Sequence, residues 1–382
     1  MEGAHAARPP LSTGGVLLTG ATGFVGSELV ARWLERTARD VTAIVRAADD
    51  ADARARIDDV LDDLFGERAE QYRERTHAVA GDITAPGLGL TDLALDELAE
   101  RSSTIVHSAA SVSFTLPLAQ ARAINLHGTR RILDLAGRAD RRGGLDCFCH
   151  VSTAYVAGDH TGRFAEADLD LGQGFHNSYE RSKFEAEQLV ATADLPTRVM
   201  RPSIIVGECE SGWTPAFNVL YWPLRALSRG VFTAIPAYPS SPVDVVSIDY
   251  VADAVYALCG EAGADGETYH LIAGPQASTM SEICAIASRY FHRPAPRVVA
   301  PPEFAKLPPS GIAAESALTA GRIYFPYFSF GSVFDGESTR ARLEPAGIRC
   351  TPLADYLERL LDFATRSRWG KRRIRRADAL AV

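Results

Sequence analysis

The sequence predicts an α/β protein: a doubly wound parallel sheet with helices on both faces, joined to a smaller, mostly C-terminal substrate-binding region. Three observations predict it. Short apolar runs alternate with helical patterns through the first half of the chain, the arrangement that builds βαβ units. A glycine-rich turn follows the first apolar run directly. Beyond Val151 the alternation loosens into Pro-rich and aromatic segments.

Taken in order, Val16–Thr19 is the first strand, and a helix runs from the glycines to about Thr37. Val41–Val45 is the second strand and Ala51–Phe65 a charged helix. His77–Ala80, a helix at Asp92–Arg101, Thr104–His107, a long helix at Leu118–Ala139 and Asp146–Val151 complete the alternation. Helix Tyr179–Thr192 and strand Arg198–Met200 extend the sheet. Trp213–Pro223, Phe232–Pro242 and Pro294–Pro309 read as irregular parts of the second region. The expected division is 14–205 with about 243–272, then about 206–242 with 273–370, then a basic tail over 371–382.

The 382 residues allow about two domains at roughly 150 residues each. A net charge of -8 gives no support to nucleic-acid binding. Seven basic residues between Arg366 and Arg376 read as a solvated tail open to an acidic partner or to peripheral contact with anionic lipid. No apolar core of a signal peptide occurs in Met1–Pro10, and no run of 18 apolar residues exists to span a membrane. Six scattered cysteines without a CxxC pair suggest reduced thiols in a cytoplasmic protein and no metal site. Cys147 and Cys149 are read as buried, facing opposite sides of a strand. Of 40 Lys and Arg residues only Lys183, Lys306 and Lys371 are lysines, so a task needing an amine falls to one of three positions.

The first strand leads into Thr19-Gly20-Ala21-Thr22-Gly23-Phe24-Val25-Gly26 and then a helix. Glycine lets the backbone approach a pyrophosphate, and the helix N-terminus offers free N–H groups to it. Gly20, Thr22, Gly23, Phe24, Val25 and Gly26 are therefore candidate cofactor contacts in a Rossmann-type turn. About 20 residues further on, NAD-binding proteins carry an acid for the ribose hydroxyls. Here the second strand ends in Arg46, whose fork of donors suits a 2′-phosphate and favours NADPH. Arg54 and Arg56 follow in the next helix and extend that reading, with Asp49 or Asp50 as alternative ribose ligands.

Tyr179 and Lys183 stand at i and i+4 on one helix face. A nearby ammonium is expected to lower the tyrosine pKa and ready it for proton exchange. Ser152 and Thr153 close the fifth strand, where ligands bind in open α/β sheets, and alternation sends one hydroxyl to the site. Tyr324–Phe330 reads either as an acyl channel or as a core cluster.

These motifs, with Gly81-Asp82, Ser108-Ala109-Ala110, Asn125 in Asn-x-x-Gly-Thr, and VVSIDYVADA, resemble the extended short-chain dehydrogenase/reductases. Within them VRAADDADARARI, GDITAPGLGL, VHSAASVSF and HVSTAYVAG resemble the thioester reductases and fatty acyl-CoA reductases. The resemblance implies Thr153, Tyr179 and Lys183 as the catalytic set. It implies Arg46 and Arg56 at the 2′-phosphate, Asp82 and Ile83 near adenine, and Ser108, Ala109, Ala110 and Asn125 along the cofactor. Lys183 would also hold the ribose, with Pro202 near the nicotinamide. The implied reaction is NADPH-dependent reduction of an acyl thioester to an aldehyde, with an alcohol open as the further product. The thioester would arrive in trans as acyl-CoA or on an acyl or peptidyl carrier protein. Reduction of a ketone, sterol or nucleotide sugar is the alternative.

Overall fold

A computed structural model describes residues 14–142, 144–217, 219–261, 266–307 and 321–380. The chain forms two compact units: residues 1–156, 177–201 and 252–269, and residues 157–176, 202–251 and 270–382. This division carries 157–176, 202–205, 243–251 and 270–272 with the second unit, where the sequence reading had them in the first. Met1–Pro10, part of the Pro294–Pro309 segment and the last two residues of the tail lie outside the described residues.

The first unit is built on β1 (Gly15–Thr19), α1 (Phe24–Arg36), β2 (Val41–Val45), α2 (Asp50–Phe65), α3 (Glu70–Arg73), β3 (Thr76–Ala80), α4 (Asp92–Arg101), β4 (Ser102–His107), α5 (Leu118–Arg141), β5 (Cys147–Val151), α6 (Ser178–Ala191), β6 (Thr197–Pro202) and β7 (Glu267–Leu271). The sheet order is β7-β6-β5-β4-β1-β2-β3. Strands β1 to β6 pair in parallel. Such strands are covered on both faces and read as nearly continuous apolar runs, as the buried GVLLT of β1 and CFCHV of β5 do. The order reverses between β1 and β4, which opens a crevice at their carboxyl ends.

Local chemistry sets where the helices start. Asp49 accepts the Asp52 amide at 2.8 Å, Thr91 that of Ala94 at 3.2 Å, and Asn177 that of Glu180 at 3.0 Å. Each is an N-cap, satisfying a donor the helix itself leaves free. Helix α1 differs: Gly23 caps it with no side-chain bond, and its first turn holds no acid.

Buried polar groups join the elements. Arg32 on α1 pairs with Glu28 at 2.8 Å and with Asp253 at 2.5 Å, tying α1 to helix Ile248–Gly260. Arg198 on β6, 1% exposed, donates to the carbonyls of Leu258 and Cys259, both at 2.8 Å, and to that of Glu261. It thus satisfies the carbonyls that end this helix. The Cys259 thiol hydrogen-bonds both Cys147 and Cys149. Those two side chains therefore share a face, and the expectation of opposite faces is corrected: residues two apart in a strand point the same way.

The second unit holds short strand pairs: 204–206 with 245–247, 234–236 with 297–299 and 162–164 with 332–334, all parallel, and 242–243 with 278–279, antiparallel. Tyr327 and Phe328 of the aromatic segment are buried, and Phe325 packs its ring against Trp222, Phe304 and Phe328. Tyr327 and Phe328 thus belong to this unit's core, while Phe325, Trp222 and Phe304 are half-buried. The basic tail is anchored rather than wholly solvated. Arg376 is buried and donates to Glu208 at 2.7 Å, and Trp213 Nε1 donates to the Ile374 carbonyl at 3.1 Å.

Removing one partner of a buried ion pair strands the other charge, at a cost of about 3–5 kcal/mol. Arg376→Ala should therefore lower stability by about 3 kcal/mol in urea denaturation. A loss below about 1 kcal/mol, the level of a surface pair, would show that the anchor is dispensable.

Candidate active site

The turn after β1 is shaped by two close approaches. Gly20 has φ +77°, and a Cβ there would lie 2.7 Å from the Ala109 nitrogen. A Cβ on Gly26 would lie 2.0 Å from the Gly20 carbonyl oxygen. Only glycine lets the β1 turn, the β4 turn and α1 converge this tightly. Thr22 and Gly23 are exposed, Phe24 and Val25 half-buried. With no side-chain cap and no acid in its first turn, the α1 terminus offers backbone N–H groups and a positive dipole end, which fits a pyrophosphate.

At the end of β2, Arg46 and Arg56 are exposed and adjacent, the Arg56 guanidinium donating to the Arg46 carbonyl. Arg54 is turned away, bonding Asp58 and the Thr76 carbonyl, the latter at 2.7 Å. Of the alternative acids, Asp49 caps α2 and Asp50 accepts the Ala80 amide at 2.7 Å. Both carboxylates hold backbone. Asp82 accepts the amide and hydroxyl of Thr84, each at 2.7 Å, and this bonding holds its pKa below the usual range. Ile83 lies against Gly128 of α5 and accepts Arg131 at its carbonyl, at 3.0 Å.

The β4 turn is tied down from three sides. The Ser108 amide donates to the Thr19 carbonyl at 3.3 Å, and the Ala109 amide to Thr19 Oγ1 at 3.2 Å. Ala110 is half-buried beside them. Asn125, 1% exposed, accepts the Ser111 amide at 2.8 Å and donates to the Ser111 carbonyl at 3.0 Å and to Ser182 Oγ at 2.9 Å. Both of its amide hydrogens are occupied by the chain, so it pins this turn to α6.

Thr153, Tyr179 and Lys183 come together at the end of β5 and the start of α6. Thr153 Oγ1 accepts the Tyr155 amide at 3.3 Å and hydrogen-bonds the Tyr179 hydroxyl. Ser152 is buried with its hydroxyl unpartnered among the described residues. Thr153, not Ser152, is thus the hydroxyl that meets the tyrosine. The Tyr179 ring is half-buried, with Phe114 at 5.8 Å, yet desolvation of its hydroxyl pushes the pKa up to about 12. The sequence expectation of a lowered value is corrected. Burial outweighs the Thr153 hydrogen bond, and the ammonium is directed elsewhere: Lys183 Nζ donates to the Val151 carbonyl at 2.7 Å and bonds His150 Nε2 at 3.2 Å. Lys183 is 2% exposed, and desolvation lowers its pKa to about 8 against an opposing pull from Glu187. Pro202 ends β6.

Sequence reasoning missed the second rank of this site. Tyr179, Lys183 and Glu187 repeat every four residues on α6, and Glu187 is gripped by Arg201 through Nε at 3.0 Å and a terminal nitrogen at 2.8 Å. The i+8 acid was visible as spacing. His107 and His150, both buried, sit with ring centres 5.5 Å apart. Their approach depends on the register of β4 against β5, which pairs them directly.

The family model described as male sterility protein matches residues 18–255. The chain is 28% identical over 279 residues to the fatty acyl-CoA reductase wat of Drosophila melanogaster, covering 64% of this chain and 53% of that protein. It is 31% identical over 294 residues to a carboxylic acid reductase of Segniliparus rugosus, covering 69% and 24%. The chain thus spans about half the length or less of these curated relatives. Among solved structures, the terminal R domain of the myxalamid PKS-NRPS pathway is 27% identical, with a TM-score of 0.80 over 96% of this chain and 94% of that one. Among the described residues no helix is long and apolar enough to cross a membrane. The chain belongs to the male sterility protein family of NAD-binding domains.

Proposed function

We propose that the chain is an NADPH-dependent reductase that converts an acyl thioester, carried on CoA or on a carrier protein, to an aldehyde. One observation carries this reading: Tyr179, hydrogen-bonded to Thr153 and with its pKa raised by burial, stands one helical turn from the buried Lys183. A phenol held neutral is a proton donor, which is the role that reduction of a carbonyl requires. The relatives support the thioester: fatty acyl-CoA reductases, carboxylic acid reductases and peptide-synthetase R domains recur among them. One similar structure is a thiolation-reductase di-domain, 23% identical with a TM-score of 0.78. In that protein the reductase is joined to a thiolation domain, which supports a carrier-borne substrate.

The chemistry supplied when a reduced nicotinamide is bound is hydride delivery to the acyl carbonyl carbon. Gly20, Thr22, Gly23, Phe24, Val25 and Gly26 would hold its pyrophosphate. Asp82 and Ile83 would face adenine, Ser108 to Ala110 would line its length, and Pro202 would border the nicotinamide. Arg46 and Arg56 would take the 2′-phosphate, a reading favoured by Asp49 and Asp50 being committed to backbone. Thr153 and Tyr179 hydrogen-bond the carbonyl oxygen, and Tyr179 gives its proton as negative charge develops there. Lys183 stabilises the phenolate left behind and holds the ribose. The hemithioacetal then returns its hydroxyl proton to Tyr179, the C–S bond breaks, and the thiolate takes a proton from solvent. A second round on the same residues would take the aldehyde on to the alcohol, and product analysis separates the two outcomes.

The test is NADPH oxidation with a panel of acyl-CoAs and carrier-bound acyl groups, with product analysis. Turnover of ketones without turnover of thioesters overturns the reading. Tyr179→Phe should lower kcat about 10²- to 10⁴-fold, the usual worth of a positioned acid. Arg46→Ala should weaken NADPH binding by about tenfold or more, since a charge-assisted bond contributes about 1.5–3 kcal/mol. Titration with NADH should show little change, and an equal loss for both cofactors would remove Arg46 from the 2′-phosphate. The pH profile follows from Lys183. Below about 8 the ammonium is present and above it the amine is neutral, so kcat/KM should fall as pH rises through about 8.

A further inference from the structure

We propose that His150 is a positioning residue for Lys183: a neutral imidazole of fixed tautomer that anchors the ammonium without neutralising it. The proposal rests on the reading of Lys183 as the group that serves Tyr179 and the cofactor. An ammonium has three donors and no acceptor. Two contacts are in place, the Val151 carbonyl at 2.7 Å and His150 Nε2 at 3.2 Å. Since the ammonium can only donate, Nε2 must offer its lone pair, and the ring proton belongs on Nδ1. That Nδ1 is buried and has no partner among the described residues. The fold keeps an unmet donor in its interior in order to present Nε2 to the lysine, against the general tendency to satisfy such groups.

The neighbouring ring cannot take over. Thr129 Oγ1 donates to the Asn125 carbonyl at 2.6 Å, so it accepts from His107 Nε2 at 3.0 Å. His107 Nδ1 then accepts from the Thr19 hydroxyl at 2.8 Å. Both nitrogens of His107 are thereby occupied, in the tautomer opposite to that of His150. His107 is neutral too, its pKa lowered to about 3 chiefly by burial.

The charges acting on this pocket are few. From α6 come Tyr179, Glu180 and Glu187, the last paired with Arg201 of β6; from β4 and β5 come the two histidines. Among the described residues Glu187 is the one carboxylate acting on Lys183, and it is already gripped by Arg201. Lys183 therefore has no counterion of its own. A carboxylate in place of His150 would cancel the charge that a tyrosinate needs. A neutral imidazole holds the amine and leaves that charge acting, and one N–H stays available for the ribose. Burial and the Lys183 charge hold the His150 pKa well below its usual value, so it does not compete for the proton.

The experiment begins with the cofactor-free protein. Nitrogen-15 NMR of the histidine rings should show His150 protonated at Nδ1 and bare at Nε2, and the Lys183 amine should titrate near pH 8. His150→Phe removes the acceptor. It should move the Lys183 titration and the alkaline limb of kcat/KM down by about one pH unit and weaken NADPH binding about tenfold. His150→Gln carries an amide oxygen in reach of the same place and should recover most of both. A protonated Nε2, or a His150→Phe variant with unchanged Lys183 titration and cofactor affinity, overturns the proposal. If His150→Phe does not fold, the wild-type tautomer and the Gln variant decide alone. Failure of thioester turnover with the NMR result intact would strike the proposed reaction and leave this assignment standing.

Discussion

A single ammonium held out of water at the end of β5 orders much of the polar interior of the first unit. Lys183 is 2% exposed, and burying a charge is costly unless hydrogen bonds replace its hydration. Two acceptors from β5 do so. The nearest carboxylate is engaged by Arg201, the nearest rings are neutral, and the amine is left with its pKa near 8. The same dryness has the opposite effect on Tyr179, because a phenol is charged only when it loses its proton. One environment therefore shifts both groups toward their neutral forms, and it keeps the proton on the tyrosine.

A second constraint is steric. The crevice where the sheet order reverses can form only if α1 and the β4 turn both close on Gly20. The hydrogen bonds behind that crevice have a direction. The Ala109 amide, Thr19, His107, Thr129 and the Asn125 carbonyl form a chain in which each hydroxyl or ring nitrogen has one available role. Asn125 continues it into Ser111 and Ser182. The turn that would line a cofactor is thus fixed from behind by this hydrogen-bonded chain.

The sheet, the glycine turn and the tyrosine-lysine helix were legible because each is local. Period, glycine spacing and an i,i+4 pair are carried by neighbouring residues. Arg54 and Arg56 show where this ends. Both follow the second strand on one helix, but Arg54 meets the Thr76 carbonyl of β3 while Arg56 turns back to Arg46. Arg376 looked like one more exposed charge in a basic run and proved to be buried against Glu208, 168 residues earlier. The Cys147–Cys149 misreading was of another kind, since the strand's own period was enough to place both thiols on one face.

By itself, then, the sequence determined the order of strands and helices, the phosphate-type turn, and the presence of one lysine four residues after a tyrosine. Tertiary structure alone decided the protonation tendencies of that pair, which hydroxyl meets the tyrosine, and which acids remain free near Arg46. The physical reason is that pKa and hydrogen-bond partnership depend on dehydration and on groups brought in by β4, β5 and β6. Chain neighbours do not report either.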